Sequence, residues 1–210
     1  PAEFIPVAEG CGQIIKIGEW VLRTACLAAA RDMKSGRVSV NASPFQVRDK
    51  NFIETVRRAL EDSGLEPSRL EIEITENVLI DDDQRALSIF NALKRLGVKI
   101  ALDDFGTGYS SLSYLSRFPF DSIKIDRSFV QGLDNGGSGL EIIDTIVRLG
   151  RALNMNIVAE GVETQSAFAT LIACGCDEIQ GFLVGAAEPL ENILEIAPSH
   201  IQRTISTSEQ

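Results

Sequence analysis

Between Ile14 and Ala28 the apolar positions Ile14, Ile17, Val21, Ala25 and Ala28 recur every three or four residues, the spacing of one helix face. A leading loop over residues 1–12 precedes this helix and Gly36 ends it. Arg37-Val38-Ser39-Val40 then alternates with period two, as a strand does, up to Asn41. The next helix turns Phe52, Val56, Ala59 and Leu60 inward and stops at Gly64. The cycle repeats. A strand from Leu70 to Ile74 is tipped by Glu73 and Glu76, Ala86, Phe90 and Leu93 mark a helix closed by Gly97, and the strand Val98 to Leu102 runs into Asp103 and Asp104. A short helix over 111–117 leads to the strand Ser122 to Asp126. Beyond a glycine-rich loop (Gly132 to Gly139), the pattern predicts a helix over 140–153, a strand over 156–159 tipped by Glu160, a helix over 164–173, and a last strand opening at Glu178-Ile179-Gln180. A short helix over 190–196 and a polar, disordered tail from His200 to Gln210 close the chain.

Six strand and helix pairs therefore alternate, with about 20 to 36 residues between successive strand tips, the range of a βα unit. Such alternation means a parallel sheet. Two architectures remain open: a doubly wound open sheet, or a (β/α)₈ barrel with about two of its strands lying elsewhere.

At 210 residues, 44% of them hydrophobic, the chain suits one domain with a sizeable core. Its net charge of −10 excludes a general binder of DNA or RNA polymers, which relies on clustered Lys and Arg. A small anionic ligand fits if cations offset the acid. Cys11, Cys26, Cys174 and Cys176 lack the paired spacing of a zinc site, and the one histidine is His200, so the thiols read as reduced and mostly buried. With no signal peptide and no apolar run of about 18 residues, the segment is expected to be soluble, cytoplasmic and without membrane contact. Its first residue, Pro1, points to a piece of something longer, with upstream sensory or regulatory domains.

The strand tips carry the candidate chemistry: Asn41, Glu73, Asp103, Asp104, Lys124, Glu160 and Gln180. A barrel collects such ends in one mouth. Carboxylate and amide oxygens without His or Cys suit one or two Mg²⁺ or Mn²⁺ ions, with Asp103 placed to bridge a pair. Divalent ions would also relieve the repulsion among four carboxylates, and a two-ion site activates water for phosphoryl transfer. Because side chains alternate along a strand, Asp103 and Asp104 share a site only above the strand end; the competing reading is a turn in which one of them caps the backbone. Lys124 should stay protonated among these acids and orient a water or neutralise a phosphate oxygen, or else form a plain structural salt bridge. Glu76 is spaced to hold the loop Gly106 to Ser111 over the metals, and Glu163 to fix Lys124 from behind. The helix dipole alone would also favour both glutamates.

The segments FIPVAE (Phe4 to Glu9), VSVNAS (Val38 to Ser43), EITEN (Glu73 to Asn77), DDFGTGYSSL (Asp103 to Leu112), KIDRSFV (Lys124 to Val130), AEGVET (Ala159 to Thr164) and QGFL (Gln180 to Leu183) occur together and in order. From Pro1 to about Gly185 the chain thereby resembles the EAL domain family, bacterial phosphodiesterases that open cyclic di-GMP to linear pGpG. The resemblance implies an α/β fold, a TIM-like (β/α)₈ barrel of the EAL type, with about six of the eight βα units in this chain. It implies that Asn41, Glu73 and Asp103 ligate one metal and that Asp103, Asp104 and Glu160 serve a second. Lys124 would orient the attacking water and Glu163 would support the site, so that Lys124, Asp104, Glu160 and Glu163 form the catalytic group. Gln180 would contact a metal-bound water. Glu76 would anchor a substrate loop made of Gly106, Thr107, Gly108, Ser110 and Ser111, and a homodimer is implied as well.

The resemblance also places the Glu-Ala-Leu motif, whose glutamate is a metal ligand, before Pro1, with the first two strands and an arginine that holds the dinucleotide. Val184 to Pro189 (VGAAEP) departs from the usual continuation of the last strand. The expected organisation is an EAL phosphodiesterase domain over 1–198 and a polar tail over 199–210. Two functional readings stay open: metal-dependent hydrolysis of cyclic di-GMP, and an inactive cyclic di-GMP-binding or signalling fragment. An unrelated open α/β phosphotransfer domain is a distant third.

Overall fold

The computed structural model describes residues 3–79, 83–106, 112–133, 139–190 and 192–193. In chain order its helices and strands are α1 (Ile5–Gly10), α2 (Ile14–Asp32), β1 (Val38–Asn41), α3 (Pro44–Val47), α4 (Phe52–Ser63), β2 (Leu70–Thr75), α5 (Asp83–Leu96), β3 (Lys99–Phe105), α6 (Leu112–Arg117), β4 (Ser122–Ile125), α7 (Arg127–Gln131), α8 (Gly139–Ala152), β5 (Asn156–Ala159), α9 (Gln165–Cys174) and β6 (Glu178–Ile179). Single 3-10 turns cover Pro67–Arg69 and Glu76–Leu79. Of the expected helix over 190–196, Leu190, Asn192 and Ile193 have helical backbone; the remainder and the tail lie outside the described residues.

Three local expectations are corrected. The leading loop is in part α1, which starts with Pro6 in its first turn, where the missing N–H is no loss. In α2 the buried line is Ile14, Gly18, Leu22, Cys26 and Ala29, displaced from the expected Ile17, Val21, Ala25 and Ala28. Gly18 is the reason: a Cβ there would lie 1.7 Å from Gln46 Nε2, so the helix presents its glycine to α3. Nor does Gly36 end α2. The helix stops at Asp32, Met33 turns to extended backbone, and Gly36 makes a left-handed turn. Arg69 clamps this corner by donating to the carbonyls of Gly36, Met33 and Ala29 at 2.9, 3.0 and 3.3 Å.

The six strands of the described residues lie in sequence order, β1-β2-β3-β4-β5-β6, each parallel to the next. A doubly wound sheet reverses its direction of growth partway; this one never does, so right-handed crossovers leave all helices on one face. Leu70, Ile72 and Ile74 of β2, Ile100 and Leu102 of β3, Ile123 and Ile125 of β4 and Ile157 of β5 turn to those helices and are almost fully buried. They meet Val56, Phe90, Leu93, Ile143, Val147 and Leu171, each fully buried large side chain being worth about 1.5–3 kcal/mol. Phe90, Phe118 and Phe120 form a ring cluster with centroids 5.5–6.0 Å apart.

The sheet's other face carries Glu71, Glu73, Asp103, Ser122 and Lys124, all buried. Laid flat, six strands would hold the edges roughly 24 Å apart. Arg37, just before β1, instead ion-pairs with Glu178 of β6, so the sheet curls until side chains from its two edges meet at the N-terminal ends of the strands. The architecture is a six-stranded curled parallel sheet, an arc of an α/β barrel, and the open-sheet alternative falls.

Candidate active site

The mouth is built where β3 ends. Alternation should send Asp103 and Asp104 apart, yet Asp104 sits at φ 55°, in the left-handed region that aspartate tolerates better than most residues. The pairing of β3 with β4 slips between Leu102 and Phe105 at the same place. This local reversal brings both aspartates to one side. An oxygen of each, with one of Glu160 just beyond β5, lies within 4.8 Å of the others. The turn reading holds a part of the truth too, since Asp103 Oδ1 accepts from the Asp104 amide at 3.1 Å.

Lys124 holds the cluster together from below. Its Nζ lies 2.8 Å from Glu73 Oε2, 3.1 Å from Asp103 Oδ1 and 2.5 Å from Glu160 Oε1, joining β2, β3 and the end of β5 from β4. The side chain is only 5% exposed, which makes the contacts energetically serious. Ala101 is the register partner of Glu73 on β3, and its small side chain leaves room for the lysine to pass. Burial pulls the Lys124 ammonium down, but the charge of Glu73, hydrogen bonds to Glu160 and Glu73, and the charge of Asp103 outweigh it and raise its pKa. Glu160 is pushed above the usual carboxylate range, first by burial, against its bond to Lys124 and with Asp103 and Glu73 adding repulsion. Asp104 is likewise raised by burial, Asp103 and Asp126, with Lys124 and Arg127 opposing.

The other expected residues distribute around this centre. Asn41 ends β1 as the register partner of Glu73, and the Ala42 amide donates to the Glu73 carbonyl at 2.9 Å. Gln180 follows β6 at the same end, its amide on the Ala159 carbonyl at 2.8 Å. Glu76 Oε1 accepts from the Gly106 amide at 3.0 Å, while its buried Oε2 has no hydrogen-bond partner among the described residues. At Gly106 (φ 97°) a Cβ would press within 2.8 Å of Phe129 Cε2. Thr107, Gly108, Ser110 and Ser111 lie outside the described residues. Glu163 is exposed, and no described hydrogen bond or ion pair joins it to Lys124; Glu160 makes that contact directly.

Two features escaped the sequence reading. Glu71, one strand period before Glu73, is buried beneath the cluster and accepts from Ser39 Oγ at 3.1 Å and Ser122 Oγ at 3.0 Å, forming a floor across β1, β2 and β4. Its alternation with Glu73 was the available signal. Asp126 caps α7 through the Ser128 amide at 3.0 Å, setting Arg127 at the rim; Asp-x-Ser is an N-cap signature.

Carboxylates from successive strand ends around a buried lysine define a barrel protein with an acidic, oxygen-only site at the C-terminal mouth. The donor set fits a hard divalent cation, with Asp103, Asp104 and Glu160 close enough to share one. The EAL domain model matches residues 1–187, and the chain belongs to the EAL domain family. It is 43% identical over 198 residues to the bifunctional diguanylate cyclase/cyclic di-GMP phosphodiesterase MucR of Pseudomonas aeruginosa, covering 92% of this chain and 29% of that protein. The solved MucR phosphodiesterase in complex with c-di-GMP superimposes with a TM-score of 0.88 at 43% identity, over 92% of this chain and 80% of that one. A manganese/cyclic di-GMP complex of Klebsiella pneumoniae BlrP1 matches with a TM-score of 0.72 at 31% identity, over 81% and 43% of the two chains. The chain spans about a quarter of the length of the curated relatives it matches.

Proposed function

We propose that this chain hydrolyses cyclic di-GMP to linear 5′-pGpG with the help of Mg²⁺ or Mn²⁺. The observation that carries the reading is the buried Lys124 gathering Glu73, Asp103 and Glu160 from separate strands beside Asp104. Asp103, Asp104 and Glu160 would hold one ion, and Asn41, Glu73 and Asp103 a second, with Gln180 facing its water. Bound there, the ions would supply Lewis-acid stabilisation of phosphate charge.

The chain's own groups define the proton path. Lys124 Nζ, with its proton firmly held, orients the attacking water through the carboxylates it gathers. Glu160 Oε1, adjacent to Lys124 and raised by burial, takes the proton as the water oxygen bonds to phosphorus. The P–O3′ bond breaks, the leaving O3′ takes a proton from solvent while Glu160 returns its own to solvent, and the 5′-phosphate stays on the product. Glu76 holds the backbone of the substrate loop through Gly106, and Glu163 supports the mouth from its exposed rim.

A homodimer, upstream sensory or regulatory domains in a longer parent and a cytoplasmic location belong to the same reading. Among the described residues no helix is long and apolar enough to cross a membrane. The test is incubation of the 210-residue chain with cyclic di-GMP and Mn²⁺ beside an Asp103→Ala control, following pGpG by chromatography. Metal-dependent product that vanishes in the control supports the reading. Binding without product at saturating Mn²⁺ would assign the chain to the inactive binding class.

A further inference from the structure

Arg127 opens α7 at the rim of the mouth, three residues past Lys124. Its stem is locked in place. Gly161, at φ 67°, packs so closely that a Cβ there would lie 2.4 Å from Arg127 Cβ and 3.3 Å from its Cα, which fixes the arginine beside the turn that follows Glu160. Its side chain is exposed, and among the described residues it makes no hydrogen bond or ion pair. Three residues past Lys124 and packed against the turn that follows Glu160, the arginine is rooted at the edge of the carboxylate cluster.

Lys124, the other cation of this mouth, is engaged by three carboxylates and is nearly inaccessible. A cyclic dinucleotide brings two phosphodiesters. If one lies over the carboxylate cluster, the ring directs the second toward the rim, where Asp103, Asp104, Asp126, Glu160 and Glu163 would repel it unless a cation meets it. A planar guanidinium offers a forked pair of donors suited to a phosphate's two free oxygens. We propose that Arg127 is a substrate-binding residue that takes the non-reacting phosphodiester of the cyclic dinucleotide. The inference rests on the cyclic di-GMP reading above and adds a residue to its binding surface.

The test is calorimetry of cyclic di-GMP binding to the chain in calcium buffer, comparing wild type with Arg127→Gln, Arg127→Lys and, as a charge control, Arg58→Gln on the exposed face of α4, together with Mn²⁺ titrations of each. Arg127→Gln is expected to weaken dinucleotide binding about 10- to 100-fold, the range of a charge-assisted hydrogen bond. Arg127→Lys, which keeps the charge and loses the fork, should recover only part of that loss, Arg58→Gln should match wild type, and Mn²⁺ affinity should be the same in all four. Equal dinucleotide affinity of wild type and Arg127→Gln would overturn the inference and leave the phosphodiesterase reading standing. Loss of Mn²⁺ binding in Arg127→Gln would also overturn it, by making the arginine a structural support of the cluster. No dinucleotide binding by wild type would sink the cyclic di-GMP reading itself, and the inference with it.

Discussion

At the N-terminal ends of the strands, Asp121 accepts from Lys94 Nζ at 2.7 Å, Lys99 Nζ at 2.9 Å and the Ile100 amide at 2.9 Å. Burial pushes its carboxyl up, but those bonds prevail and hold it below the usual range. At the C-terminal ends Asp104 and Glu160 shift the other way, with burial and like charges ahead of the cations. Asp177 repeats the backbone part of the Asp121 device two βα units along the chain, its Oδ2 taking the Ile157 amide at 2.9 Å. The floor thus uses carboxylates to tie strand to strand, whereas the mouth stores them in a strained, mutually repelling group. That is the division expected of a barrel, with stability at one end and chemistry at the other.

The comparison is tested most severely at Lys124. Lys124→Met strips the mouth of its compensating cation and leaves three carboxylates facing one another. Without metal it is expected to destabilise the fold by about 3–5 kcal/mol, read by urea unfolding in EDTA. Turnover of cyclic di-GMP should fall by about 10²- to 10⁴-fold. Unchanged stability would mean that the lysine does not hold the acids, and the contrast between the two ends would lose its centre.

At the floor, Asp121→Asn should cost about 2 kcal/mol, since hydrogen bonds to charged partners are worth roughly 1.5–3 kcal/mol. The sign of its pH dependence is fixed. The folded pKa lies below the unfolded one, so the stabilisation is present above an unfolded pKa of about 3.9 and disappears as pH falls through the folded value. Wild type and variant should therefore differ at pH 7 and converge in acid, while turnover per folded molecule stays the same.

The same chemical change at the mouth should act in the opposite direction. The folded pKa of Asp104 is raised, so its charge costs stability once pH climbs past the unfolded value. Asparagine accepts the left-handed backbone at this position. Asp104→Asn is expected to raise stability in EDTA, only modestly because solvent screens the exposed carboxylate, while abolishing hydrolysis, a trade between stability and function. A loss of stability would show that the mouth is built for strength as the floor is.

The alternation of elements and the polar strand tips were legible because they depend on local periodicity. Strand order was not: alternation alone left the open sheet and the barrel equal, and the unreversed order from β1 to β6 decided between them. The α2 face was misplaced because an apolar count passes over Gly18, whose role exists only against Gln46. Adjacency places Asp103 and Asp104 at one strand end, yet what brings their oxygens together is one left-handed residue that adjacency does not reveal. Lys124 could be ranked by its acidic companions, but its reach across β3 depends on Ala101 lying beside Glu73.

The smallest expected effect concerns the clasp between the edges. Arg37 and Glu178 are 35% and 45% exposed, so solvent screens them, and Arg37→Gln should cost only about 0.2–1 kcal/mol. Its value lies in what it says about coupling. Glu73, Asp103, Lys124 and Glu160 sit on or beside β2 to β5, which pair directly with one another and do not need the clasp. Asn41 and Gln180 do, because they end the two edge strands that Arg37 and Glu178 bring together. Turnover at saturating Mn²⁺ should therefore change no more than a few-fold, with any loss appearing as weaker Mn²⁺ binding. A collapse of turnover at saturating metal would show instead that the curl of the floor dictates the geometry of the mouth, and the two ends could no longer be treated as separate designs.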